Sequence, residues 1–202
     1  MGCTLRIGCD LLPTEEEHIR LTYGKRIAGL TVGGRELRGP VFDENEVRAA
    51  AGLTFVIGAI AFSYAYFEKQ YVPLQVTTAV FFIEFLIRVI VGIRYSPLGF
   101  VAHLMTRGQP PNWVSAKPKR FAWTLGLTIS FAMVIITNSG IRGALPGALC
   151  LLCMTLMWME AVLGVCLGCK IHSLLVRRGW TIKDPEYEVC AHGACELPAR
   201  SF

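Results

Sequence analysis

The stretch LPGALCLLCMTLMWMEAVLGVCLGCK, residues 145–170, decides how this chain is read. It is long enough to cross a bilayer as a helix, which takes about 20 predominantly apolar residues. Yet it carries four of the chain's eight cysteines, as the pairs Cys150/Cys153 and Cys166/Cys169, and one carboxylate, Glu160. Lipid tolerates an ionisable side chain only where a partner or a function compensates for it. The run that fixes the fold class therefore also holds the chemistry.

Three further apolar blocks have this length, residues 49–67, 73–93 and 121–138, beside 145–169. The chain of 202 residues is 53 % hydrophobic and only 17 % charged, with a mean hydropathy of +0.46. Those values exclude an ordinary soluble domain. Backbone amides inside lipid must bond within their own segment, so the blocks predict an all-α fold, a four-transmembrane-helix bundle. Residues 1–40 are expected to be a polar, partly ordered cytoplasmic extension, 41–178 the transmembrane domain and 179–202 a cysteine-containing cytoplasmic tail. MGCTLRIGCDLLPTEEEH lacks the apolar core of a cleaved signal, which leaves the first span as its own insertion signal.

Charge orients the bundle. Residues 1–48 hold seven Lys and Arg, the loop from Arg94 to Arg120 holds five and the segment after Cys169 five more. The two opposite turns hold one each, Lys69 and Arg142. This positive-inside bias predicts that both termini are cytoplasmic. The net charge of +5 needs no nucleic acid to explain it.

Local signals refine the picture. Asp43 or Asn45 is placed to cap the first helix, and Pro73 suits the first turn of the second. Leu98, Val101, Leu104 and Met105 around His103 predict a short helix on the membrane surface in the central loop. Trp113, Trp123 and Trp180 fit interface anchors.

Several of these segments form a familiar set: DENEVRAAAGL before the first span, FFIEFLIRV in the second, RYSP and PKRFAWTLGL around the central loop, and GVCLGCK closing the fourth. Together they resemble a bacterial membrane-protein family, domain of unknown function 4395 (DUF4395). The resemblance runs from about Phe42 to Cys195 and implies a four-span inner-membrane protein of no established activity. It also implies that Cys150/Cys153, Cys166/Cys169 and the tail pair Cys190/Cys195 are family cysteines, with Cys3 and Cys9 outside it.

On a helix, CxxC spacing puts two sulfurs on adjacent edges of one face, which allows a disulfide only with local distortion. Cys166 and Cys169 with Cys190 and Cys195 approximate a four-thiolate site for zinc or iron, with His172 and His192 as alternative ligands. A redox thiol pair and a sulfane-sulfur carrier fit the same residues, and Lys170 would favour a neighbouring thiolate. Along a straight helix Cys153 and Cys166 are about 20 Å apart and face different sides, which excludes direct exchange unless the helix breaks at Gly164 or Gly168. Glu84 and Arg88 share a face at i,i+4. Glu84 and Glu160 each fall about 15 Å deep, so Arg88 is expected to serve Glu84 and to reach Glu160 across the bundle, leaving a proton on Glu160.

Three readings follow, and none assigns a catalytic residue. The first is a membrane protein handling thiols, sulfane sulfur or a metal at its cytoplasmic face, with a soluble thiol or sulfur-transfer protein as partner. The second is a non-catalytic scaffold holding a structural metal. The third is a quinone-linked thiol oxidoreductase that needs Cys150 and Cys153. Four spans alone make too small a bundle for a conduction path, which would require a homo-oligomer.

Overall fold

Asp43 ends a strand and caps a helix, and that junction organises the aqueous end of the molecule. The computed structural model describes residues 23–180 apart from 28, 33, 34, 37 and 38. Strand β1 (Thr31–Val32) pairs antiparallel with β2 (Arg35–Glu36). Strand β3 (Val41–Asp43) pairs antiparallel with β4 (Trp113–Ser115), with Phe42 opposite Val114, and Lys25 bridges the other edge of Val41. Helix α1 (Glu44–Phe67) starts directly from β3. Asp43 accepts from the N–H groups of Asn45 and Asn112, both at 3.0 Å, which caps α1 and ties it to the segment before β4.

Helix α2 (Val72–Ile90) has Pro73 in its first turn, as expected. After a 3-10 turn at Ile93–Tyr95, Ser96 caps α3 (Pro97–Met105). This is the expected surface helix: Phe100, Val101, Leu104 and Met105 are exposed, while Gly99 and Ala102 are buried. A Cβ on Gly99 would meet the Ile93 carbonyl oxygen at 1.9 Å, so only glycine lets α3 fold back on the turn before it. Helices α4 (Ala116–Asn138), α5 (Ala144–Leu163) and α6 (Leu167–Arg177) complete the chain.

Helices α1, α2, α4 and α5 are long and apolar enough to cross a membrane, and no more than 28 % of the apolar stretch of any of them is buried. Their outward faces, with Val56, Val80, Phe131, Leu151 and Trp158 exposed, therefore present an apolar belt that lipid satisfies. The protein is membrane-embedded. In the bundle α1 packs on α5 and α2, and α2 packs closely on α4, whereas α4 and α5 meet only lightly.

The fourth apolar run is not the single helix expected over 145–169. It ends at Leu163, where Gly164 takes a left-handed conformation at φ 65°, and restarts at Leu167. The left-handed residue suits glycine, and Arg48 of α1 donates to the freed carbonyls of Ala161 at 3.1 Å and Val162 at 2.9 Å. Trp123, expected at the interface, is instead buried against Phe42, with ring centroids 5.1 Å apart. The ribbon β3–β4 brings Phe42 into the bundle and draws Trp123 inward.

Candidate functional site

The inward stripe of α4 runs from Lys119 through Trp123, Ser130 and Met133 to Thr137. That of α1 runs from Glu44 through Val47, Ala51 and Thr54 to Ala61. Both stripes are apolar in the middle and charged at the ends that meet β3 and β4. Lys119 Nζ donates to Glu160 Oε1 at 2.9 Å and lies 2.8 Å from Glu44 Oε2. All three residues are buried, Lys119 and Glu44 at 1 % exposure. The contact to Glu44 is an ion pair without hydrogen-bond alignment, and Glu44 Oε1 has no hydrogen-bond partner among the described residues. Two carboxyl groups thus share one ammonium.

Glu84 and Arg88 form a separate pair. Arg88 donates to Glu84 Oε1 from Nε at 3.0 Å and from Nη2 at 2.7 Å, while Oε2 accepts from the N–H of Leu98 at 3.2 Å. The Arg88 carbonyl accepts from the Tyr23 hydroxyl at 3.0 Å. The i,i+4 pairing is as expected. Arg88 does not reach across to Glu160, because Lys119 occupies that role. Counted along their helices, the carboxylates are nearer the ends than the expected depth of about 15 Å. The break at Gly164 puts Glu160 three residues, about 5 Å, from the end of α5, and Glu84 lies about 9 Å from the end of α2. The surplus carboxyl oxygen belongs to Glu44, not Glu160.

Beside this cluster lie Cys166 and Cys169. Cys166 is the N-cap residue of α6, and its Sγ accepts from the N–H of Cys169 at 3.3 Å. The Cys169 thiol hydrogen-bonds back to Cys166 and is 1 % exposed, whereas Cys166 is half-buried. That bond, burial and the neighbouring Cys166 charge push the Cys169 thiol well above its ordinary value. Lys119 acts against the rise and Glu160 adds to it. Lys170, expected to supply the local positive charge, is exposed; the ammonium whose charge reaches Cys169 is that of Lys119. His172 packs on Phe121, and burial with the nearby Lys117 charge lowers its pKa.

Approach of α6 to α4 is close enough that a Cβ on Gly168 would meet the Ala122 Cβ at 2.6 Å. This holds the Cys166–Cys169 turn on the bundle. Cys150 and Cys153 sit ten residues or more back along α5, in the apolar interior. A cavity of about 330 Å³ between α1, α2, α4 and α5 is lined by Cys150 and Cys153 toward one end and by Glu160 and Cys166 toward the other.

The four described cysteines form no disulfide. Among the described residues no group of three or more His, Cys, Asp and Glu side chains is placed to hold a metal ion. Cys190, Cys195 and His192, the other half of the expected four-ligand site, lie outside the described residues. Lys119 and Glu44 are the members of this buried cluster that sequence reasoning missed, Lys119 having been counted only among the charges of the loop from Arg94 to Arg120. The signal was present in the i,i+3/i+4 stripes that lead back to them.

A family model described as a domain of unknown function (DUF4395) matches residues 42–177. The match stops short of the Cys190/Cys195 pair. No curated protein and no solved structure matches the chain.

Proposed function

Because this chain belongs to the DUF4395 family, we propose, starting from that premise, that it is a multi-pass membrane protein performing thiol–disulfide chemistry through Cys166 and Cys169. In this reading Cys166 is the attacking sulfur and Cys169 the resolving thiol. One observation carries it: Cys166 caps α6 with its sulfur on the Cys169 N–H, and the Cys169 thiol bonds back to that sulfur. A helix N-terminus favours negative charge, and CxxC at such a terminus is an arrangement in which thiolates are reactive. The broken helix at Gly164 supplies the distortion that CxxC needs to close a disulfide. The Lys and Arg bias supports both termini on the cytoplasmic side of an inner membrane, and a bacterial setting follows the family resemblance. The aqueous partner would be a soluble thiol or sulfur-transfer protein reaching Cys166. A homo-oligomer is not required for this chemistry.

The test is differential alkylation and diamide oxidation of the detergent-purified chain, with metal content measured alongside. Cys166 should react at least tenfold faster than Cys169, and diamide should join the two. Loss of Cys166 (Cys166→Ser) should abolish both signals. About one zinc or iron per chain, lost in Cys166→Ser/Cys169→Ser, would replace the dithiol reading with the structural-metal one.

A further inference from the structure

The cavity between the spans runs along the helices. Its lining on α5 extends from Cys150 to Glu160, and on α4 from Ala122 to Met133, in each case about 15 Å of helix. A volume of about 330 Å³ over that length makes a slot about one hydrocarbon chain wide. Its wall is almost wholly apolar, with Phe55, Phe81 and Trp123 among the lining. The groups able to exchange a proton or an electron stand at its ends: Cys166 and Glu160 toward one, Cys150 and Cys153 toward the other. Leu125 of α4 and Leu152 of α5 line the slot and are also exposed on the outside of the bundle. The slot therefore opens sideways, where α4 and α5 meet lightly, into the hydrocarbon.

We propose that this slot binds an isoprenoid quinone, head group against Cys166 and Glu160, and that the quinone oxidises the Cys166–Cys169 dithiol. The proposal rests on the dithiol reading above and names its oxidant. Access from the membrane plane, an elongated apolar shape and a polar, redox-capable end together describe a membrane-soluble two-electron acceptor with an apolar tail. The buried Cys169 is closed to a bulky aqueous oxidant, whereas a flat head group entering from lipid meets Cys166 directly. In the step both S–H bonds break and one S–S bond forms. The two electrons and two protons pass to the quinone, whose two carbonyl oxygens become the hydroxyls of the quinol. Glu160 lines the slot and is hydrogen-bonded to Lys119, which places it to carry one of those protons.

The experiment uses the reduced full chain in lipid nanodiscs under anaerobic conditions, with decylubiquinone as the probe and diamide as a soluble oxidant for comparison. Quinol formation is followed by absorbance and the disulfide by mass spectrometry. The expected result is about one quinol per chain and a Cys166–Cys169 disulfide, with no quinol from Cys166→Ser. Filling the slot by Ser130→Phe should slow quinol formation at least tenfold in a protein that still melts cooperatively. An aryl-azide quinone should label residues of α4 or α5 that line the slot. That label keeps the test decisive should Ser130→Phe fail to fold. If diamide closes the disulfide and decylubiquinone yields no quinol, the quinone proposal falls and the dithiol reading stands. If neither oxidant joins Cys166 to Cys169, both fall. Azide labelling confined to the outer faces, or a phospholipid recovered from the slot in place of quinone, overturns the proposal.

Discussion

The two ends of the bundle are built differently. At the end near β3 and β4, five buried charged side chains, a ribbon and α6 fix how the helices meet. At the other end the turns are short, the charged side chains Lys69 and Arg142 are exposed, and the hydrogen bonds between helices join neutral groups. Tyr66 and Phe67 are exposed, Thr78 shares a hydroxyl contact of 3.4 Å with Thr137, and Gln75 donates to the Thr137 carbonyl at 2.9 Å. Apolar faces alone slide past one another in lipid at little cost, since lipid tails are as apolar as leucine. Register is thus set at the charged end, and the neutral end follows. Buried ion pairs are weak evidence of net stability but costly to break from one side, so the two ends should differ sharply when cut.

The largest effect is expected at the charged end. Lys119→Met leaves Glu44 and Glu160 buried without an ammonium and should destabilise by about 3–5 kcal/mol, read as thermal unfolding in detergent. Adding Glu44→Gln and Glu160→Gln should restore most of that loss; a triple variant as unstable as the single one would show that Lys119 acts by packing, not charge. Next comes Gly168→Ala, whose new Cβ meets the Ala122 Cβ at 2.6 Å and its Cα at 2.7 Å. It should cost about 1–3 kcal/mol and speed alkylation of Cys169 as α6 lifts. At the neutral end Thr137→Val should cost only about 0.5–1.5 kcal/mol, and a loss as large as that of Lys119→Met would erase the contrast.

The smallest effect is in pH. Folding raises the Cys169 thiol above its ordinary value of 9.0, so above that pH the unfolded chain loses a proton that the folded chain keeps. Stability contributed by the neutral thiol is then full below about pH 9 and declines as pH rises further. A shallower alkaline decline in Cys169→Ala, measured by melting temperature from pH 8 to 10.5, checks it.

How much of this was legible in the sequence follows from the range of each interaction. The four spans and α3 were readable because length and periodicity are local, and the Glu84–Arg88 pair because i,i+4 spacing is local too. The cluster of Glu44, Lys119 and Glu160 was not, since it joins three helices and depends on where α5 stops. A glycine inside an apolar run does not announce a break; Gly164 breaks α5 where Arg48 from another helix donates to the exposed carbonyls. Trp123 was misplaced for a related reason. A tryptophan near a span end is an anchor by default, and only the pairing of β3 with β4 brings Phe42 to cover it.

The reach of the Glu44–Lys119 contact also gives the molecule a timetable. Synthesis runs at about 5–20 residues per second, so Lys119, 75 positions after Glu44, follows it by roughly 4–15 s. Glu160 comes later still. Over the last 29 positions of that interval, after Ile90 completes α2, Glu44 still has no Lys119 to pair with. The ribbon cannot close either, since β4 precedes Lys119 by only a few residues. The bundle therefore locks in two steps: the third span brings strand and ammonium to the waiting first helix together, and the fourth adds Glu160 and the carbonyls that Arg48 holds.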